Sequence, residues 1–388
     1  MRRIQIAERP DWKTTAEKLG FHFHTIEGEL YWDERAYYAF TLKQIEKDIE
    51  DPTQEIHQMA MELVNEVVKS QELMERVGIP KAYWDFVAQS WNEGHPHLYG
   101  RMDFSYNGNG PAKLLELNYD TPTSLYEAAY FQWIWLEEQQ KNGLLPKQAD
   151  QYNSIQEKLI LAFASLAKEK HLKGSLHLAA MKESVEDNAT VDYIQDCAHQ
   201  AGLSTTRLNI EDIGVSTDGR FTNLSDEVIQ TLFKLYPLEM MFTDEGGKSL
   251  MSSGIQLLEP AWKAILSNKA MLPLLWERHT GHPNLLPAYF EKPGQSVGEG
   301  WVRKPIFSRE GANVELFLPN GQKEFSDGPY TDAPYIIQAL APLPKFEGGY
   351  PLIGSWVVAD QACGMGIRED KTLITRDTSR FMPHIILD

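Results

Sequence analysis

Cysteine is almost absent: Cys197 and Cys363 are the two thiols in 388 residues, and their spacing fits neither a metal knuckle nor a redox motif. That excludes a thiolate zinc site. Two buried thiols in a reducing cytosol are expected, with a single disulfide as the alternative. No apolar run approaches the roughly 20 residues of a membrane span. The opening Met1-Arg2-Arg3-Ile4-Gln5-Ile6 has charge but no following apolar stretch, so no signal peptide is read and a cytoplasmic location is expected. Basic residues are the scarcer sign, 37 against 55 acidic ones, giving a formal net charge of −18. Such a chain lacks the basic surface on which general nucleic-acid binding rests. It suits an amine-bearing substrate, and any nucleotide phosphate must be held by a few placed lysines, arginines and backbone amides. There is no Walker-type P-loop, and Gly364-Met365-Gly366 is too little for a dinucleotide fingerprint. The close histidine pairs, His22-Phe23-His24 and His95-Pro96-His97, have no neighbouring cysteine or carboxylate pattern, so zinc is not expected.

What is present is an alternating hairpin. Leu98 to Phe104 puts Arg101 and Asp103 on one face and Gly100, Met102 and Phe104 on the other. The turn Asn107-Gly108-Asn109-Gly110 suits a reversal, and the return strand Lys113 to Asp120 puts Glu116 and Asn118 on a shared face. In register, that face carries two carboxylates, an amide oxygen and a guanidinium. Hard oxygens of this kind suit Mg²⁺, which keeps waters and borrows oxygens from phosphates. On strand pattern alone, a hydrated polar face explains the alternation equally well.

Before the hairpin, residues 1 to about 95 are expected to be mostly helical. A short helix covers Trp12 to Leu19, and a small hairpin turns at Gly28. A long amphipathic pattern runs from Ala36 to Lys69, broken or kinked at Asp51-Pro52, and a further helix covers Lys81 to Trp91. After the hairpin, Thr121-Pro122-Thr123-Ser124 opens an aromatic helix and leaves hydroxyls and amides able to hold an anion, although a plain N-cap explains it nearly as well. From Ala149 strands and helices alternate: a helix at Ser154 to Lys168, strands at Ser175 to Ala180 and Ser204 to Ile210, and a helix at Asn188 to Ala201. This predicts a small parallel sheet with the acidic loop Lys182 to Asp187 at a strand's carboxyl end, where α/β sheets place ligands. Lys269, at a helix start, opposes the helix dipole, a cost that a bound polyanion offsets. The last third reads as one antiparallel sheet from Gly300 to Leu387, with a turn at Gly364-Met365-Gly366 and a loop, Phe307 to Asn313, whose amides with Lys304 could cover a triphosphate.

Taken together these pieces resemble the synthetase domain of the glutathionylspermidine synthase family and its single-domain bacterial acid–amine ligase relatives. Seven pieces carry the resemblance in family order: Arg101 to Phe104, Glu116 to Thr121, Glu259 to Trp262, Ser267 to Ala270, Lys304 to Ile306, Arg309 to Asn313 and Ile367 to Asp370. The resemblance implies an α+β, ATP-grasp-like fold in permuted order, with an inserted small α/β (pre-ATP-grasp-like) unit and N-terminal helices. The expected parts are 1–97, mainly helical; 98–148, the hairpin and the helix after it; 149–255, the substrate-side α/β unit; and 256–388, the nucleotide-binding part.

By residue, the resemblance implies Asp103, Glu116 and Asn118 as Mg²⁺ ligands and Arg101 as the catalytic contact to the transferring phosphoryl group. ATP would be held by Arg101, Lys269, Lys304, Arg309, Gly311, Ala312, Gln338, Ala339, Leu340 and Arg368, and the substrate by Thr121, Thr123, Glu186 and Asp187. The implied activity is ATP- and Mg²⁺-dependent joining of a small-molecule or peptide carboxylate to an amine, possibly polyamine-like, through an acyl phosphate. No nucleic acid or membrane is involved.

Three departures stand out. Thr121 and Thr123, with Pro122 between them, stand where the synthase has serines. The chain has no room for the amidase domain of the bifunctional synthase, and Leu235-Tyr236-Pro237-Leu238-Glu239 replaces a tryptophan- and threonine-bearing segment. They motivate an alternative, an ATP-binding accessory or regulatory protein that has lost ligation. A metal-dependent hydrolase built on Asp103 and Glu116 is the third reading, and it leaves Lys269, Lys304 and Arg368 without work.

Overall fold

A computed structural model describes residues 1–26, 28–330, 333–376 and 378–387. The chain is α+β, and three sheets position the site. The central one is antiparallel, in the order Arg380–Met382, Gln361–Asp370, Tyr350–Val358, Tyr99–Ser105 and Lys113–Asn118. A second antiparallel sheet runs Ala288–Phe290, Tyr335–Ala339, Trp301–Pro305, Glu315–Phe317 and Lys323–Phe325. The third is parallel, in the order Gln256–Leu258, Thr231–Leu235, Leu176–Ala180 and Thr205–Asn209, and is the small sheet expected from the alternating pattern.

The hairpin is buried on both sides. Its apolar face, with Met102, Phe104, Leu114 and Leu117, joins a core built on the long helix Asp51–Val67 and the helix Met271–Arg278. Its polar face is covered too: Arg101 is 5% exposed and Asp103 1%. The Arg101–Asp103 strand is thus not simply hydrated, whereas Glu116 and Asn118 on the return strand stay part-exposed. Burying charge is costly unless it is paired, so the pattern needs an account in terms of partners. A second, aromatic cluster around Phe21, Trp32, Phe131, Trp135 and Trp356 closes the other side.

The Glu259 to Ala270 stretch anchors the hairpin. Glu259 Oε1 accepts the Leu98 amide at 2.9 Å, and Lys263 Nζ donates to the Tyr99 carbonyl at 2.7 Å. Ser267 Oγ takes the Tyr119 amide at 3.0 Å. The Lys269 amide in turn donates to Ile306 O at 2.9 Å, which ties the stretch to the second sheet.

Four expectations are corrected. Ala36–Phe40 is a fully buried strand rather than the start of a helix, as its aromatic run AYYAF favours, and it pairs with Arg2–Gln5 and His384–Ile386. At Asp51-Pro52 the chain does not leave the helical conformation: a π-helical turn at Ile45–Glu50 runs directly into the α-helix Asp51–Val67, so the expected break is a change of helix type. The last third contributes to three sheets rather than one: Trp301–Pro305 and its neighbours form the second sheet, Tyr350–Val358 pairs with the early strand Tyr99–Ser105, and His384–Ile386 pairs with Ala36–Phe40. Gly364 and Gly366 lie inside the strand Gln361–Asp370, where Ile155 and Phe381 press against positions that a side chain would fill; the turn is at Ala359-Asp360. Both cysteines are buried and free, as expected.

Candidate functional site

The hairpin register pairs Arg101 with Asn118 and Asp103 with Glu116, so all four side chains share one face. That face floors a cavity of about 700 Å³. The second sheet and the Ser308–Ala312 loop cover it, and the loops leaving the parallel sheet close one end. Every residue expected in the site lines this cavity except Glu186. Glu186 lies in the first turn of the helix Val185–Gln200, and burial with the nearby Glu127 and Asp187 charges pushes its carboxyl up to about 8.

Within the cavity the charges are interlocked. Arg101 holds Asp103 through Nε–Oδ1 at 2.6 Å and Nη2–Oδ2 at 3.0 Å, and Arg368 Nη2 reaches the same Oδ2 at 3.0 Å. Arg101 Nη1 donates to the Thr123 carbonyl at 2.6 Å. Gly354, opposite Asp103 on the neighbouring strand, leaves the space for this arginine: a Cβ there would stand 2.7 Å from Arg101 Cδ. Lys269 Nζ lies 3.2 Å from Glu116 Oε2 and donates to Ser308 O at 2.7 Å. Lys304 Nζ donates to Leu115 O at 2.9 Å and to Gln338 Oε1 at 2.8 Å. Burial lowers the Lys304 ammonium to about 8 against the pull of Glu116. For Glu116, burial pushes upward, but Lys269 and Lys304 outweigh it and hold the carboxyl well below the usual range. These four cations and two carboxylates match a polyanion bound with a metal better than either alone.

The loop over the cavity has the left-handed backbone at Glu310, Gly311 and Asn313, and a Cβ on Gly311 would meet Ile374 and Thr375 at 2.7 Å. Arg309 donates to Thr121 through both its carbonyl and its hydroxyl oxygen, tying the loop to the floor.

The donor set can be tested against a divalent cation. Among the described residues no three His, Cys, Asp or Glu side chains converge. The candidate ligands are two carboxylates plus an amide, too few for an all-protein cage. They fit Mg²⁺, which takes one or two carboxylates and completes its shell with water and phosphate oxygens.

Several residues were not singled out from the sequence. Asp120 lines the cavity and is gripped by Lys234; both are buried, and Asp120 Oδ2 also accepts the Leu238 amide at 2.8 Å. A lone charge in the buried strand Thr231–Leu235 was the available signal. Glu127, inside an aromatic helix, carries the same kind of signal: it is fully buried, and Oε1 accepts from Tyr31, whose hydroxyl also meets Ser124 Oγ at 3.1 Å. Tyr236, Glu239 and Met240 line the cavity at its small-sheet end.

A family model described as glutathionylspermidine synthase preATP-grasp matches residues 3–387. A Haemophilus influenzae protein, named provisionally as an acid–amine ligase, is 42% identical over 390 residues and 97% of each chain. The trypanothione synthetase of Crithidia fasciculata is 28% identical over 84% of this chain and 53% of its own. The bifunctional glutathionylspermidine synthetase/amidase of Escherichia coli is 26% identical over 97% of this chain, which spans 63% of that protein. Among solved structures, a glutathione synthetase-like effector from Globodera pallida superposes with a TM-score of 0.61 over 98% of both chains at 9% identity, a likeness of fold alone.

Proposed function

We propose, since the chain belongs to the glutathionylspermidine synthase preATP-grasp family, that it is an ATP-dependent acid–amine ligase working through an acyl phosphate. The observation that carries this reading is convergence. Arg101, Asp103, Glu116, Lys269, Lys304, Arg309 and Arg368 come from widely separated stretches and meet in one cavity. In this reading the fold is a permuted ATP-grasp. Residues 149–255 form the pre-ATP-grasp-like substrate unit, with 1–97, 98–148 and 256–388 as the other parts.

A carboxylate is a poor acyl donor because oxide is a poor leaving group. Transfer of the γ-phosphoryl group to a carboxylate oxygen releases ADP and leaves phosphate as the leaving group. An amine then attacks the acyl carbon, the C–O bond to phosphate breaks, and the nitrogen loses a proton. The protein does little covalent work here, so positioning and charge neutralisation dominate.

Asp103, Glu116 and Asn118 would hold Mg²⁺, which neutralises charge on the phosphates when bound. Lys269 and Lys304 hold phosphate oxygens, and Gln338, Ala339 and Leu340 edge the adenine site. Arg101 contacts the transferring phosphoryl group, and Arg368 stands beside it. The Arg309–Gly311–Ala312 loop excludes water from the acyl phosphate. Thr121, Thr123 and Asp187 flank the acid; Glu186, next to Asp187 in the same helix turn, is the fourth residue assigned to the substrate by resemblance. The carboxylate and amine partners suit the acidic small-sheet end.

The test is ADP release with Mg²⁺ across pooled acids and amines. The expected product has the mass of acid plus amine minus water, and formation needs both. ADP release that no acid–amine pair stimulates would favour a nucleotide-binding accessory protein instead.

A further inference from the structure

Two adjacent parallel strands, Leu176–Ala180 and Thr231–Leu235, end level, with Ala180 beside Leu235. The loops that leave their carboxyl ends both reach the cavity, one bringing Met181 and Asp187, the other Tyr236, Pro237, Glu239 and Met240. Carboxyl ends of parallel strands are where such sheets place ligands.

The charge at this end does not balance. Lys234 is engaged by Asp120, and Arg309 is bonded to Thr121. Glu239 Oε1 is 3.9 Å from Arg309 Nη1, beyond hydrogen-bonding distance. Asp187 stands opposite, in the first turn of the helix Val185–Gln200, within the field of the same arginine. The cation facing both carboxylates is Arg309, which already has other partners; Lys234 adds a weaker pull on Glu239, and Asp187 is also bonded to Ser184. Burial raises both carboxyls above their usual range, and the pull of Arg309 does not offset it. The Asp120–Lys234 pair fixes the loop that carries Glu239, since Asp120 also accepts the Leu238 amide at 2.8 Å. This loop is also the stretch that departs from the synthase pattern.

We propose that Glu239 is a specificity-determining residue that binds an ammonium group of the substrate at the small-sheet end of the cavity. The inference rests on the ligase reading and adds to it the kind of substrate taken. The ammonium can belong to the acid, as an α-amino group, or to the far end of a diamine. A neutral wall would accept des-amino analogues equally; a carboxylate short of partners discriminates against them, because their binding leaves it desolvated and unpaired.

The full chain, saturated with Mg²⁺ and a non-hydrolysable ATP analogue, is titrated calorimetrically with two ligand pairs. One is a γ-glutamyl dipeptide against its glutaryl counterpart, the other 1,4-diaminobutane against butylamine. The wild type is expected to prefer the ammonium-bearing member of one pair by about tenfold or more; which pair it is identifies the source. Glu239→Gln is expected to bring that preference near parity, and Glu239→Asp to retain part of it. Thermal melting of each variant controls for folding. An equal preference in Glu239→Gln, or no preference in a nucleotide-loaded wild type, overturns the assignment and leaves the ligase reading standing. A wild type that binds no nucleotide counts against both.

Discussion

Arg101 grips both oxygens of Asp103, Nε at 2.6 Å from Oδ1 and Nη2 at 3.0 Å from Oδ2. The expected phosphoryl contact is thus salt-bridged to an expected metal ligand. Arg368 shares Oδ2 at 3.0 Å, and Lys269 stands 3.2 Å from the other carboxylate ligand, Glu116. A cation entering alone must compete with three protein cations. A cation entering with a triphosphate gives those cations a new partner. Metal and nucleotide are therefore expected to bind with positive coupling, Mn²⁺ affinity rising about tenfold or more when a non-hydrolysable nucleotide is present. Titration followed by electron paramagnetic resonance checks this, and equal affinities with and without nucleotide would remove the coupling.

The same arginine depends on a glycine. Arg101→Ala is expected to lower turnover roughly 10²–10³-fold without unfolding the chain. Gly354→Ala places a methyl 2.7 Å from Arg101 Cδ and should cost on the order of tenfold in turnover by displacing the guanidinium. Turnover measured beside nucleotide affinity distinguishes this from general damage: the loss should fall on the chemical step. A Gly354→Ala enzyme with wild-type turnover would show that the guanidinium has room to spare.

Lys234 and Asp120 form a buried ion pair between the hairpin end and the parallel sheet. Lys234→Met leaves the Asp120 carboxylate buried without its cation and should destabilise the chain by about 3–5 kcal/mol. Lys234→Met combined with Asp120→Asn should recover much of that loss, because the amide leaves no stranded charge. Denaturant unfolding of the single and double variants measures it; additive losses would contradict the pairing.

Glu127 predicts a pH dependence of stability. Burial raises its carboxyl to about 7, and burial beside the Glu127 charge raises Glu186 to about 8. A carboxyl whose folded pKa is raised binds more protons folded than unfolded across this interval. Its contribution is full below about pH 4.5 and is lost as pH rises through 7 and 8. Melting temperature should fall between pH 5.5 and 8.5, and Glu127→Gln should flatten that fall. Parallel melting curves for the two proteins would show that Glu127 does not titrate there.

Much of the site was legible because hairpin alternation follows a rigid period of two. Arg101, Asp103, Glu116 and Asn118 share their face as the spacing requires. Lys269 and Lys304 were marked by local chemistry, a helix start and a loop, and assigned to ATP by resemblance to a family; spacing alone gave no sign that they approach Glu116 from two other elements. The division of the last third among three sheets was not legible, because Tyr350–Val358 finds its partner some 250 residues earlier and His384–Ile386 pairs with Ala36–Phe40 near the start of the chain, and local pattern carries no record of such pairing. Gly364 and Gly366 were misread for a related reason: a glycine that admits a neighbour's ring resembles, in sequence, a glycine that turns the chain. Lys234 and Glu127 gave a usable signal, a lone charge in an apolar element, whose partner only the fold supplies.

The central claim is that a carboxylate is phosphorylated before an amine attacks it. With both carboxylate oxygens of the acid labelled with ¹⁸O, turnover through an acyl phosphate transfers one labelled oxygen to inorganic phosphate for each amide formed. Mass spectrometry of the released phosphate is expected to show one ¹⁸O per product molecule. Amide formation with unlabelled phosphate would contradict the account.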